Sequence, residues 1–237
     1  MERVAFQGVT NIIRFNWHFY IIAIGGIIGC VIFHQYLLIL LIILSTVISL
    51  AVSWYVYDYS DLYTLDWIDF PDVDHIVNIN AGFDETSVLL SAKFPAAALT
   101  VFDFYDPVKH TEISIERARK AYGPYPGTMN ISTDNIPLLN ADLICMMMAA
   151  HEIRNSEERI KFFSLLKARL NDQGQILVLE HLRDLPNFMA YNIGFFHFFS
   201  KKEWIRTFTG AGLTIYREIK VTPFLSAFIL QKNGITS

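Results

Sequence analysis

The run His75-Ile76-Val77-Asn78-Ile79-Asn80-Ala81-Gly82-Phe83-Asp84-Glu85-Thr86-Ser87 decides how the rest of the chain is read. Ile76, Val77 and Ile79 form a short apolar, β-branched run, the pattern of a strand covered on both faces. Asp84 is placed to cap a following helix, with Glu85 in its first turn and Val88, Leu89 and Leu90 on its apolar side. A strand that turns sharply into a helix start is where open α/β sheets bind nucleotide-like ligands, at the carboxyl ends of the strands. Such a loop commonly carries three glycines, and here Gly82 stands alone.

Downstream, strands and helices alternate. Residues 98–103 read as a second strand ending in Asp103, and 113–122 as a helix stopped by Gly123-Pro124. Residues 128–131 make a weak third strand, and 142–148 a fourth that runs into Ala149-Ala150-His151-Glu152. Asn155 or Ser156 caps a helix reaching about Leu170, and Asn171-Asp172-Gln173-Gly174 reads as its stop. Residues 175–180 form a fifth strand ending in Glu180-His181. This alternation gives a doubly wound, mostly parallel sheet with right-handed crossovers. Ser200-Lys201-Lys202-Glu203 is a capping box for a helix to Gly210. Residues 213–219 and 224–231 then pair as a closing hairpin, which makes one strand antiparallel.

Upstream the chain changes character. Of 237 residues, 53% are hydrophobic, and 17–57 contain no Lys, Arg, Asp or Glu, so the apolar excess is concentrated there. Two apolar runs, 17–33 and 36–57, would measure about 25 and 33 Å as helices, against a bilayer core of about 30 Å. Only His34 and Gln35 separate them, which makes a transmembrane hairpin with both ends on one side. Arg3 and Arg14 flank it while the turn carries no Lys or Arg, so the ends and the domain that follows belong on the cytoplasmic side of the membrane. A shallow, monotopic hairpin is the alternative. Gly25/Gly29 and Ser45/Ser49/Ser53 are small-residue stripes that permit close helix packing within the hairpin or in a homodimer. Acidic residues from Asp58 to Asp74 mark the return from the bilayer. The net charge of −4 comes with no basic run, so no nucleic acid is expected as a partner. Cys30 and Cys145 form no disulfide framework, and no metal is expected.

Over residues 70–232 the chain resembles the class I S-adenosylmethionine-dependent methyltransferases. The resemblance rests on the order of elements and on local matches. Asn78 falls at the acid of the family's first motif, and Asn80, Gly82 and Asp84 fall at its three glycine positions. Asp103 matches the acid that bonds the cofactor's ribose hydroxyls, and Asp134 an acid near the adenine. The resemblance implies a Rossmann-like methyltransferase fold at 68–237, following the hairpin and linker at 1–67. It also implies S-adenosyl-L-methionine as cofactor, held by Asn78, Asn80, Gly82, Asp84, Asp103 and Asp134. Asn tolerates left-handed backbone better than most residues, so Asn80 can stand in for a glycine.

Methyl transfer requires alignment, exclusion of water and, for a hydroxyl acceptor, removal of a proton. His151, Glu152, Glu180 and His181 lie just past strands four and five and are the candidate catalytic groups, with His197 a further option. Leu185, Phe188, Met189, Tyr191, Ile193, Phe195, Phe196, Phe198 and Phe199 crowd the segment after strand five. Together with the hairpin, they point to a lipid-like, aromatic or polyene acceptor methylated on oxygen. Two other functions fit parts of the pattern. Tyr105 and Lys109 are spaced as in short-chain dehydrogenases, but Pro107 between them breaks the helix that chemistry needs. A methyltransferase-like scaffold at the membrane would account for the altered loop.

Overall fold

The structure is a computed structural model and describes residues 3–70 and 73–234, so Asp72 of the acidic linker lies outside the described residues. An amphipathic helix, α1 (Gln7–Phe15), comes first, and it was not legible as a separate element in the sequence. It meets α2 (Trp17–Ile32) at a bend of 69°. The helix α3 (Tyr36–Trp54) continues through a π turn at Tyr55–Tyr59. By length and composition this one helix can cross a membrane, with a mean hydropathy of 2.6.

Residues 73–234 have the expected α/β order. The elements are β1 (His75–Asn80), α4 (Ser87–Lys93), β2 (Ala98–Asp103), α5 (Ile113–Ala121), β3 (Met129–Asn130) and β4 (Ala141–Met147). Then come α6 (Ser156–Lys167), β5 (Leu170–His181), α7 (Leu185–Tyr191), α8 (Lys201–Gly210), β6 (Leu213–Thr222) and β7 (Leu225–Lys232). The sheet runs β3-β2-β1-β4-β5-β7-β6. The first five strands are parallel neighbours, and β7 is antiparallel to both β5 and β6. Strand order reverses between β1 and β4, which opens a crevice at their carboxyl ends.

Alternation along each strand sends side chains to two cores. Val77, Ile79, Ile144, Met146 and Val178 face α6 and α8, meeting Phe162, Phe163, Trp204 and Phe208. Ile76, Leu143, Cys145, Leu177 and Leu179 face the other way. There Leu90 of α4 is joined by Val56, Leu62, Leu65 and Ile68, so the segment returning from α3 closes this side of the sheet. Burying a leucine side chain stabilises by roughly 1.5–3 kcal/mol. The linker is therefore part of the core and does more than tether.

Three local expectations need correcting. The helix after β1 starts at Ser87, with Thr86 at its N-cap; Asp84 serves it from two residues earlier, accepting from the backbone N–H of Thr86 and Ser87 at 3.0 and 2.9 Å. The 171–174 segment is not a stop. It is the start of β5, which pairs with β4 across a register shift, and α6 ends earlier, at Lys167. Gly174 is needed there because a Cβ would lie 2.6 Å from the Ala141 carbonyl oxygen. Finally, Ser45 of the Ser45/Ser49/Ser53 stripe meets the end of α7, a neighbour that the small-residue spacing did not suggest. Asn192 donates to Ser45 Oγ at 3.1 Å, and α3 packs on α7. Gly26, near Ile42, faces α3, while Gly25 and Gly29 face open space.

Candidate active site

The ends of β1 and β2 build a small cavity of about 60 Å³ lined by Asn80, Gly82, Asp84, Asp103, Arg119, Tyr122, Gly123 and Pro124. Four of the six expected cofactor residues thus line one pocket. Gly82 has φ +98°, a conformation that side chains resist, and its N–H closes a turn onto Asn80 Oδ1 at 3.0 Å. Asn78 sits just behind, fully buried, donating to Thr86 Oγ1 at 3.0 Å, Ser87 Oγ at 2.8 Å and Asp84 Oδ1 at 3.4 Å. Three polar atoms around this loop are buried without a hydrogen-bond partner: Asn78 Oδ1, Asn80 Nδ2 and Asp84 Oδ2. Leaving such groups unpaired costs about 1–3 kcal/mol each. Together they offer two acceptors, one of them a carboxylate, and one donor. The sixth residue, Asp134, is elsewhere, in the loop after β3 with its carboxylate on Ser132 Oγ at 2.5 Å.

Arg119 of α5 was not a sequence candidate, since nothing in its local pattern separates it from Arg117. Its guanidinium pairs with the Asp103 carboxylate, lies 4.4 Å from the Tyr105 ring centre and covers Gly82. It also lines a larger open cleft of about 590 Å³ with Tyr105, His110, Thr111 and Glu112. Arg119 is the wall between the two spaces.

A second cluster gathers past β4 and β5. His151 Nδ1 is 2.6 Å from Glu180 Oε2, and its Nε2 is 3.1 Å from Glu152 Oε1. His197 brings Nε2 to 3.5 Å from the same Glu152 oxygen and Nδ1 to 2.9 Å from Glu112 of the cleft. Burial alone would push the His151 pKa down, but the charge of Glu180 and the hydrogen bonds to Glu152 and Glu180 outweigh it and hold it up at about 10. Burial likewise opposes ionisation of Glu152, but its bonds to His151 and His197 win, and its carboxyl is held well below the usual range. His151, Glu152 and His197 place donor atoms within 4.8 Å of one another, a spacing a metal ion can use. Arg154, against the His197 ring, already supplies positive charge there.

His181 stands apart from this cluster. Its Nε2 meets the Tyr57 hydroxyl at 2.7 Å, its Nδ1 meets Asn187 Oδ1 and the Phe224 carbonyl at 3.1 and 3.0 Å, and its ring stacks on Phe198 at 4.8 Å. Burial lowers its pKa to about 4. Tyr57, from the π turn that continues α3, was legible only as one of many interface aromatics. Tyr105 and Lys109 lie in the turn after β2, and Lys109 is paired with Glu158 at 2.9 Å. They form no dehydrogenase pair.

The strand order with its antiparallel seventh strand, and a pocket at the β1/β2 ends, decide the fold. It is the class I methyltransferase fold. Human N-acetylserotonin methyltransferase in complex with S-adenosylmethionine matches 79% of this chain and 54% of its own, with TM-score 0.55 and 14% identity. The mitomycin 7-O-methyltransferase MmcR matches 70% of this chain with TM-score 0.54 and 15% identity, and the chain spans about half (50%) of its length. PigF bound to S-adenosylhomocysteine matches 72% of this chain and 59% of its own, at TM-score 0.51 and 15% identity. No protein-family model and no curated protein matches the sequence.

Proposed function

We propose that the protein is a membrane-anchored methyltransferase that moves the methyl group of S-adenosylmethionine to oxygen on a hydrophobic, aromatic or polyene acceptor. The observation that carries this reading is the trio of unpaired buried atoms at Asn78, Asn80 and Asp84 beside Asp103, at the crevice where this fold binds its cofactor. The trio matches an amino-acid end. Asp84 Oδ2 and Asn78 Oδ1 accept from an ammonium, and Asn80 Nδ2 donates to a carboxylate. Asp84 thereby supplies the negative charge that Asn78 lacks. Asp103 would hold the ribose hydroxyls with Arg119 displaced from its carboxylate, and that displacement would join the pocket to the cleft. Gly82 keeps the loop close to the ligand. Asp134 has no assigned contact.

The bound cofactor contributes an electrophilic methyl on a sulfonium. The chain aligns the acceptor and removes its proton. Glu180 holds His151 at Nδ1 and Glu152 holds it at Nε2, so Nε2 of the neutral ring would take the acceptor's proton only where the hydroxyl displaces the Glu152 contact. A phenolic hydroxyl has a pKa of about 10, close to that of His151. A proton therefore passes between them at little cost, which favours an aromatic hydroxyl over an aliphatic one. Glu152 and His197 orient the imidazole and spread its charge. His181 is a joint, tying Tyr57 of the anchor to the end of β5. With α2 and α3 as a membrane hairpin, the positive flank of Arg3 and Arg14 supports a site on the cytoplasmic face of the bilayer, and Gly25 and Gly29 of α2, which face open space, leave room for a homodimer.

One observation favours a second reading, a methyltransferase-like scaffold: Arg119 already occupies Asp103. The test separates them. Full-length protein in liposomes containing a host-membrane lipid extract is given methyl-labelled S-adenosylmethionine. Label entering the organic phase supports the enzyme; label absent from every fraction supports the scaffold.

A further inference from the structure

The register of α7 against α3 sets the depth of one segment of the catalytic half. Asn192, directly after α7, donates from Nδ2 to Ser45 Oγ at 3.1 Å. Ser45 is the middle residue of α3 (Tyr36–Trp54). At 1.5 Å per residue it lies roughly 13 Å along the helix from Trp54. A bilayer core is about 30 Å thick, so a helix that crosses it carries Ser45, and Asn192 with it, far into the hydrocarbon.

Residues 185–197 are suited to that place. No Asp, Glu, Lys or Arg occurs between Asp184 and Lys201. The backbone is helical, α7 followed by a 3-10 stretch at Asn192–His197, as lipid favours, and at its far end the Phe196 and His197 carbonyls accept from Arg183 and Arg154, which marks where the segment returns to the polar boundary. Ile193 is 83% exposed, and Leu185, Met189 and Phe196 are exposed with it. Asn192 is matched there by Ser45.

We propose that residues 185–197 are a second membrane-inserting element, seated among the acyl chains of the cytoplasmic leaflet beside α3. The segment is also the path by which a bilayer-resident acceptor reaches the site. This rests on α2 and α3 being the membrane hairpin, and it narrows the acceptor to a lipid-soluble molecule that never leaves the leaflet. The segment ends at His197, whose ring is 4.9 Å from that of His151. A hydroxyl guided along Phe195 and Phe196 therefore arrives at the histidine cluster without crossing water.

The experiment is depth-dependent quenching in the full-length protein, reconstituted in phosphatidylcholine–phosphatidylglycerol liposomes. In a Cys30→Ser background, Ile193→Cys, Leu44→Cys and Leu138→Cys each carry an environment-sensitive fluorophore, and acyl-brominated lipids are the quencher. Ile193 and Leu138 are both exposed, so labelling does not disturb the fold. Leu138 precedes β4, at the opposite end of the strands from the site. The expected result is blue-shifted emission and strong loss of signal at 193 and 44, with water-like emission and no loss at 138. Quenching at 44 but not at 193 overturns the wedge and leaves the anchor standing. No quenching at either overturns both.

Discussion

Gly82→Val tests the cofactor loop most sharply. The backbone there has φ +98°, and a Cβ would lie 2.9 Å from Arg119 Nη1 and 3.0 Å from Arg119 Cδ and Tyr105 Cδ2. Holding an L-residue in left-handed backbone costs about 1–3 kcal/mol, with a branched side chain at the upper end. In the ligand-free protein the loop can relax. In the complex it cannot, because Asn80 and Asp84 must both face the ligand, so the strain appears in the affinity. At 1.4 kcal/mol per tenfold, S-adenosylmethionine binding weakens by roughly 5- to 150-fold, before any steric clash is added. Gly127→Val is the control. It has φ +81° with nothing within 4 Å of a Cβ, so it carries the same backbone strain away from the site and should lower stability while leaving affinity intact. Titration calorimetry on detergent-solubilised protein reads both. If Gly82→Val binds within about twofold of the parent, this loop is not the cradle.

Three further outcomes follow from the site. Arg119→Ala frees Asp103 and joins the two cavities, so S-adenosylmethionine should bind tighter by up to about tenfold, the worth of one charge-assisted hydrogen bond of about 1.5 kcal/mol; a weaker complex would make Arg119 a ligand-binding group instead. With the His151 pKa at about 10, its neutral form grows with pH, so the methyl-transfer rate should rise through neutrality and level off near pH 10, and Glu180→Gln should move that plateau to lower pH; a rate flat between about pH 6 and 9 excludes proton transfer to His151. His181 is buried neutral with a pKa of about 4, below its unfolded value near 6.5. The unfolded chain therefore takes up the proton first, and stability present above pH 6.5 should fall by roughly 3 kcal/mol as the pH drops through 4. Denaturant titrations of the parent and of His181→Gln at a series of pH values measure this, and equal slopes in the two proteins would count against it.

How much was legible follows from where each signal resides. Strands β1, β2 and β4 announce themselves by short apolar runs, and the structure places β2 and β4 within a residue of the expected bounds. Asn155 and Ser200 cap their helices as their positions suggest, by accepting from Glu157, Glu158 and Glu203 backbone N–H groups. What escaped depends on contacts far apart in the chain. The Glu203 carboxylate, expected to complete a capping box, goes to the buried Arg159 at 2.8 Å. The 171–174 segment looks like a turn by composition, but pairing with β4 makes it strand. Arg119 and Glu112 lie on a helix and its approach with no motif around them, and only folding brings them to Asp103 and His197. Asn78 at the acid position was legible, but the unpaired Asp84 Oδ2 six residues on was not, because local sequence does not report which carboxylate oxygen is left without a partner.

On this reading the Asn78–Asp84 loop with Asp103 holds S-adenosylmethionine. Calorimetry on the full-length protein in detergent, titrated in parallel with S-adenosylmethionine and with NAD, addresses it directly. Saturable binding of the first at one site, lost in Asp103→Ala, and no heat from the second is the expected result. Binding of NAD alone, or of neither, contradicts it.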